Sequence, residues 1–463
     1  MISRRDILRL SGAAAVCSSL RALPGEPTSP EHRLEIAPVA LDLSPAHRLR
    51  TIAYNGQAPG PLLRLKEGQP VTIEVANRTD QPEVVHWHGL FLPPAVDGAI
   101  EEGTPEIPPH ASARYTFTPR PAGFRWYHTH SLAMGDPTRG NLTGGLYSGQ
   151  HGMLMIEPRE DPGRYDREFF LALHDWQGYL SANPDGAMNP AYRVSTVNGK
   201  ALGSGEPLRV RQGEQVLLHV LNSSPTEVHW IALAGHAFEV VALDGNPVPR
   251  PRRVPMLRLA PAERVCALIE MNNPGTWVLG EVRRHVQAAG LGIVVEYTER
   301  GGTPRWEQPT DLLWSYEPFA GPPPQAPPET SPIVVPLVFE SRFRGHGAME
   351  SWTINGRSYP ETSAAPLIEG RRYRLQFINR SQDDHPLHLH RHSFELRSLD
   401  RPIDVARNQQ PDTIAGLIKD TVLVGARSEA EVEFTADQPG ATLFHCHQQN
   451  HMDLGFMLLF AYA

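Results

Sequence analysis

"YNGQAPGPLLRLKEGQPVTIEVANRTDQPEVVHWHG", residues 54–89, contains an Asn-Gly turn, an apolar strand, a Gly turn, an alternating strand, an Asn turn and a histidine pair. The turn residues stand where hairpin chemistry wants them. "PVTIEVAN" alternates apolar and polar residues, as a half-buried strand does. The unit returns at residues 197–236, "VNGKALGSGEPLRVRQGEQVLLHVLNSSPTEVHWIALAGH", and at 354–392, "INGRSYPETSAAPLIEGRRYRLQFINRSQDDHPLHLHRH". Each copy has a matching tail: "PAGFRWYHTH", "NNPGTWVLGEV" and "QPGATLFHCH". One β-unit is therefore built three times. The expected fold is all-β, with three consecutive sandwich or barrel domains at residues 31–158, 159–298 and 332–463. Residues 1–30 read as a leader. Residues 299–331 read as a connector, whose "GPPPQAPPETSP" implies an extended, semi-rigid chain. Asn77, Asn222 and Asn379 form N-x-S/T sequons, but their shared place in the repeat favours a turn role.

At 463 residues the chain has room for several cores. A net charge of −8 without a long basic run argues against nucleic acid as a partner. The N-terminus, "MISRRDILRLSGAAAVCSSLRAL", resembles a twin-arginine export signal, with Arg4 and Arg5 as the pair and Ile7-Leu8 following. The expected location is therefore periplasmic or extracellular. The apolar run is too short and mild for stable membrane insertion. Such signals carry folded proteins, often with a cofactor already loaded. Of three cysteines, Cys17 leaves with the signal and Cys266, in "ERVCALIEM", reads as a buried small hydrophobe. Cys446 is left without an obvious disulfide partner.

The copies differ in their histidines. The first and third have His-x-His at front and tail: His86/His88, His128/His130, His388/His390 and His445/His447. The middle copy has "HWIAL" and "TWVLG" there, the scaffold without the ligands. Residues two apart on a strand share a face, so each pair presents two imidazoles in one direction. A lone histidine is usually a matter of packing. Four pairs at matching places of two repeats point to metal, and eight imidazoles suit a cluster shared between domains one and three. Cys446, between His445 and His447, points to the opposite face. His385 and His451 remain to join it, completing the His₂Cys set of blue-copper sites.

"HWHG", "WYHTH", "HPLHLH" and "HCHQQNHMDLGF" resemble, in order, the four copper motifs of the multicopper oxidases. The resemblance covers nearly all of the mature chain as a three-domain, laccase-like cupredoxin protein. It implies four coppers per chain. His385, Cys446 and His451 would hold type 1 copper, and His86 and His388 type 2. His88, His128, His130, His390, His445 and His447 would hold the type 3 pair. A reductant would pass single electrons to type 1 copper, and dioxygen would become water at the cluster. Asp97, in "PPAVDG", matches the family's acid near type 2 copper and would relay protons; its plainer reading is an Asp-Gly turn. Asp453 is a weaker acid candidate. Phe456 stands where the family often has an axial methionine, implying a raised potential, and Met457 should face away.

The ten methionines are scattered, so soft-metal ligation has little support. The expected reductant is a small aromatic, a phenol or aromatic amine, contacting an edge of His451. The alternative is a metal-ion (cuprous) oxidase for copper tolerance. A copper-free scaffold and a nitrite reductase fit worse, because the ligand set is complete. The Gly-rich stretch at residues 131–152 reads as a long loop, bordering the site or merely at the surface.

Overall fold

In the computed structural model the described residues are 30–463, except 134–141, 159–163, 183–185, 299, 323–330, 344, 348, 364–365 and 403–413. The Arg4–Arg5 pair, Cys17 and most of "GPPPQAPPETSP" lie outside them.

Three two-sheet β units follow one another. The first packs a sheet ordered His47–Tyr54, His32–Ser44, Val71–Asn77, Ser112–Phe117 on one ordered Gly60–Lys66, His151–Glu157, Gly123–Thr129, Val85–His86. In the second, a six-stranded sheet containing Arg167–Trp176, Gln215–Asn222 and Arg264–Glu270 faces a five-stranded one containing Thr276–Glu281 and His229–Leu233. In the third, a six-stranded sheet built on Ile333–Arg342, Arg372–Asn379 and Ser428–Thr435 faces Thr421–Val424, His385–Leu389, Thr442–Cys446 and Met457–Phe460. The alternating strands behave as their pattern requires. Val71, Ile73 and Val75 are buried, while Thr72, Glu74 and Ala76 are half-exposed. Their apolar faces fill the space between sheets, with Leu34, Ile73, Trp87 and Tyr127 in the first unit and Phe339, Phe377, Leu387 and Phe444 in the third.

The repeat asparagines are buried turn-formers. Asn77 Nδ2 donates to the Gln81 and Ile107 carbonyls while Oδ1 accepts from Thr79. Asn222 and Asn379 do the same with Glu227, Leu259 and Ser224, and with Asp383, Gly425 and Ser381. Each pins the bend from which the histidine strand departs.

Two expectations need revision. The described part of residues 299–331 is not a mere spacer: Trp314, Tyr316 and Phe319 pack into the core. Tyr316 Oη donates to Glu263 of the middle unit and its ring faces Lys419 of the third at 5.1 Å, so the segment joins the two. Nor is the whole of 131–152 a loop. Gly145–Tyr147 forms a 3₁₀ turn whose Gly145 abuts the Gln449 side chain, and a strand begins at His151. Among the described residues no helix is long and apolar enough to cross a membrane.

Candidate metal centre

Strand register brings the histidines together. His86 lies opposite His128, and His388 opposite His445. Opposed residues share a face, so each unit offers a front and a tail pair side by side. The two units face each other across one buried volume, and all eight imidazoles lie at 3 % exposure or less. The rings lie close enough for several groupings, His86 with His88 and His128 being one; the two triples that the family resemblance implies are among them. His88, His128 and His447 have centroids 5.7, 5.2 and 5.2 Å apart. His130, His390 and His445 are 5.0, 5.1 and 5.1 Å apart. Each triple mixes first-unit and third-unit residues. His86 and His388 remain, at 5.8 Å, each stacked on a member of a triple.

The ring nitrogens divide by task. Nδ1 of His86, His128, His388 and His445 lies 2.8–2.9 Å from the carbonyls of Asp97, Thr129, Asp420 and Cys446, as a donor. That fixes the tautomer and leaves Nε2 as the lone pair. Nε2 of His86, His128 and His388 is buried without a partner. His88 is reversed: Nε2 meets Asp420 Oδ1 at 3.1 Å and Nδ1 is the orphan. Both nitrogens of His130 and His447 are unpartnered. Burial, reinforced by neighbouring imidazoles, holds His88, His128, His130, His388, His390, His445 and His447 well below the ordinary histidine range. His390 Nε2 and His445 Nε2 meet only each other, at 3.1 Å. Neutral rings whose buried nitrogens are orphaned or face another imidazole are what cations require.

A second set lies on the other face of the same strand. Leu387, two after His385, opposes Cys446, so both residues turn away from the cluster. Cys446 Sγ lies 3.7 Å from His385 Nδ1 and 3.5 Å from His451 Nδ1, and the two nitrogens are 3.2 Å apart. Ser381 holds His385 through Nε2 at 2.8 Å. Burial pushes the thiol up and brings His385 down to about 3. A cation displacing the thiol proton would relieve this. Phe456 is fully buried, its ring 4.8 Å from His385. Met457 faces the other way, against Ala99, Leu443 and Met452.

Three models of the multicopper oxidases match residues 38–161, 171–294 and 335–463. The chain belongs to the multicopper oxidase family. It is similar to Multicopper oxidase MmcO of Mycobacterium tuberculosis, at 26 % identity over 96 % of this chain and 90 % of that protein. It is similar to Laccase-7 of Oryza sativa subsp. japonica at 24 %, over 89 % and 87 %. The crystal structure of Fet3p, titled a multicopper oxidase that functions in iron import, shares its fold with a TM-score of 0.78 at 19 % identity, over 93 % and 90 %. As a multicopper oxidase it is a copper-binding oxidoreductase with dioxygen as acceptor.

Acids surround the multicopper oxidase site. Asp97 Oδ2 lies 3.0 Å from His390 Nδ1 and 3.2 Å from His86 Nδ1, so it links the first and third domains; Oδ1 is an orphan. Gly98 allows this approach, because a Cβ there would strike the Val85 carbonyl at 1.9 Å. Glu102 accepts from the Leu443 amide at 2.6 Å and lies 3.6 Å from His390 Nδ1; burial, with Asp97 beside it, drives its carboxyl well up. Asp453, raised by burial to about 7, accepts from Gln449 at 2.8 Å.

Asp420 carries no motif, and sequence reasoning missed it, as it missed Glu102. Asp420 reaches His88 while accepting from Arg264 at 2.5 and 2.7 Å and from Arg125 at 3.4 Å. Burial alone would raise its carboxyl; the Arg264 guanidinium overcomes this and brings it far down. The middle domain thus braces the cluster through Arg264. Its only sequence signal is a buried arginine at the head of a strand that is otherwise apolar up to its last residue, "RVCALIE".

Proposed function

We propose that this multicopper oxidase is laccase-like. It couples one-electron oxidation of phenols or aromatic amines to four-electron reduction of dioxygen to water, with four coppers per chain. The observation that carries the reading is the position of Cys446. Its sulfur faces His385 and His451, while its neighbours His445 and His447 belong one to each histidine triple. The two metal sets are therefore joined by a few covalent bonds of one strand. Copper bound there supplies single-electron transfer at the Cys446 set and multi-electron chemistry at the histidine cluster.

The donors fit this use. His385, Cys446 and His451 form the type 1 set, His86 and His388 the type 2 pair, and the two triples the type 3 sites. Asp97 holds two ligand imidazoles in orientation and keeps one carboxylate oxygen to accept or pass a proton. Phe456, its ring 4.8 Å from His385, would stand beside a copper held there and offers it no donor atom. Export through Arg4 and Arg5 belongs to the same reading, and Arg4→Lys with Arg5→Lys would leave the protein in the cytoplasm.

An aromatic reductant is favoured over a metal ion because the described methionines are buried, apart from the half-buried Met188 and Met349. No thioether cluster among the described residues offers a soft ion a surface site. Steady-state oxygen uptake with 2,6-dimethoxyphenol and with cuprous ion tests this. The phenol should be the better donor, with four consumed per dioxygen and no peroxide released. A clear preference for cuprous ion would replace this reading with a metal-ion oxidase.

A further inference from the structure

Far from any motif, Cys266 is part of a buried relay. Strands Gln215–Asn222 and Arg264–Glu270 pair so that His219 lies directly opposite Cys266. On the other side His219 opposes Phe170, and Glu168 lies two residues before it on the same face. The result is a chain of contacts. Cys266 Sγ is 3.0 Å from His219 Nδ1, and His219 Nε2 is 2.9 Å from Glu168 Oε1. Arg64, from the first domain, donates to the other Glu168 oxygen and, at 3.2 Å, to Glu157. Phe170 stacks on the imidazole at 4.5 Å and fixes its plane.

This relay opens on a cavity of about 660 Å³ between the first and middle domains. Its wall is mainly apolar, with Phe124, Met155, Leu217, Val241 and Leu268, and Cys266 lies at its surface. Burial would lower the His219 pKa. The Cys266 sulfur and the Glu168 carboxylate outweigh it and lift the ring to about 9. An imidazolium beside the sulfur stabilises negative charge that develops there during attack, and a carboxylate behind the imidazolium keeps it charged and oriented. A free thiol that merely packed a core would have neither partner. Cys446, the other described cysteine, is buried in the copper-ligand set, so no second thiol stands ready to close a disulfide.

We propose that Cys266 is a nucleophilic modification site, activated by His219 and Glu168, that takes up small planar conjugated carbonyl compounds such as quinones from this apolar cavity. In the step, the thiolate attacks the β-carbon and a carbon–sulfur bond forms. The carbon–carbon π bond breaks, its electron pair moves to the carbonyl oxygen, and a proton from the His219 imidazolium neutralises the enolate. No external oxidant or reductant is consumed. Oxidation of a diphenol would generate such a compound nearby, but the site stands on its own geometry.

The test adds 1,4-benzoquinone directly to the copper-loaded protein and maps adducts by peptide mass spectrometry. One adduct at Cys266 is expected under native conditions, absent in Cys266→Ala, whose blue band should be unchanged. His219→Phe should slow the addition at pH 7 by at least about tenfold, since the sulfur then loses the imidazole that stands 3.0 Å from it. Glu168→Gln, which keeps the shape, should slow it by a smaller factor. Unfolding curves show whether each variant is folded. Modification of Cys266 only after denaturation, or equal rates in wild type and Glu168→Gln, would overturn the proposal.

Discussion

Glu281 holds in the middle domain the register position that Cys446 holds in the third. Ile231 opposes Glu281 as Leu387 opposes Cys446, and His229 and His385 each lie two residues earlier. Both histidines have the same neighbour at Nε2, Ser224 at 2.9 Å and Ser381 at 2.8 Å. Where the third domain has a thiol and a second imidazole, the middle one has carboxylates: His229 meets Asp175 at 2.9 Å and Glu281 at 3.2 Å. A buried ion triad fills the place of a metal set.

The triad makes stability depend on pH at both ends. Burial opposes the charged His229, but Asp175 and Glu281 lift it to about 9; its contribution is complete below about pH 6.5 and is lost as pH rises through 9. Burial likewise opposes Glu281, but His229 and Arg283 bring it to about 2, so its contribution is complete above about pH 4.5 and is lost as pH falls through 2. Calorimetry across pH 2–10 should show a plateau between the two ranges. His229→Ala should cost about 3–5 kcal/mol at pH 6, because buried Asp175 loses its cation and Glu281 keeps only Arg283, and should remove the alkaline decline.

Cys446→Ser and His88→Ala separate the two sites. The serine variant should lose the blue band and the oxidase activity yet keep much of the type 2 signal in electron paramagnetic resonance. The His88 variant should keep the blue band and lose dioxygen reduction. Near-normal oxygen uptake in either would break the link through residues 445–447.

The gathering of the histidines was legible because a strand's period of two converts spacing directly into a shared face. His86/His88 and His388/His390 needed nothing else. The repeat likewise gave the order of the strands, since Asn77, Asn222 and Asn379 mark the same bend three times. Asp420 was not legible, because its partners lie in the two other domains, His88 and Arg125 in the first and Arg264 in the middle one, and "IKDTV" has no periodic signal. Cys266 was read as an inert hydrophobe. It is buried, but strand register alone sets His219 opposite it, and that pairing across 47 residues has no local mark. In the connector, the prolines drew the reading to "GPPPQAPPETSP", and Trp314, Tyr316 and Phe319 just before it, which supply a packing face, were passed over.

Asp420→Asn tests the brace from the middle domain. Two buried guanidiniums would lose their shared carboxylate, a cost of about 3–5 kcal/mol. His88 would lose the acceptor at its Nε2, and cluster copper should fall by about 10–100-fold in affinity, as when a ligand's outer hydrogen bond is removed. The blue band should persist. Urea unfolding and copper titration of the variant measure both effects.

Phe456→Met should lower the potential of the blue site, because an axial thioether donates to oxidised copper and a phenyl ring cannot. Poor phenolic donors should slow more than good ones as the driving force shrinks. Redox titration of the blue band reads this directly, and an unchanged or higher potential would remove Phe456 from the axial position.

Copper content with paramagnetic resonance of the fully loaded protein goes straight to the proposed centre. The account predicts about four coppers per chain, two of them visible as one type 1 and one type 2 signal and two silent as a coupled pair, with an intense blue band from Cys446. A colourless protein, or one that binds a single copper or zinc instead, would contradict it.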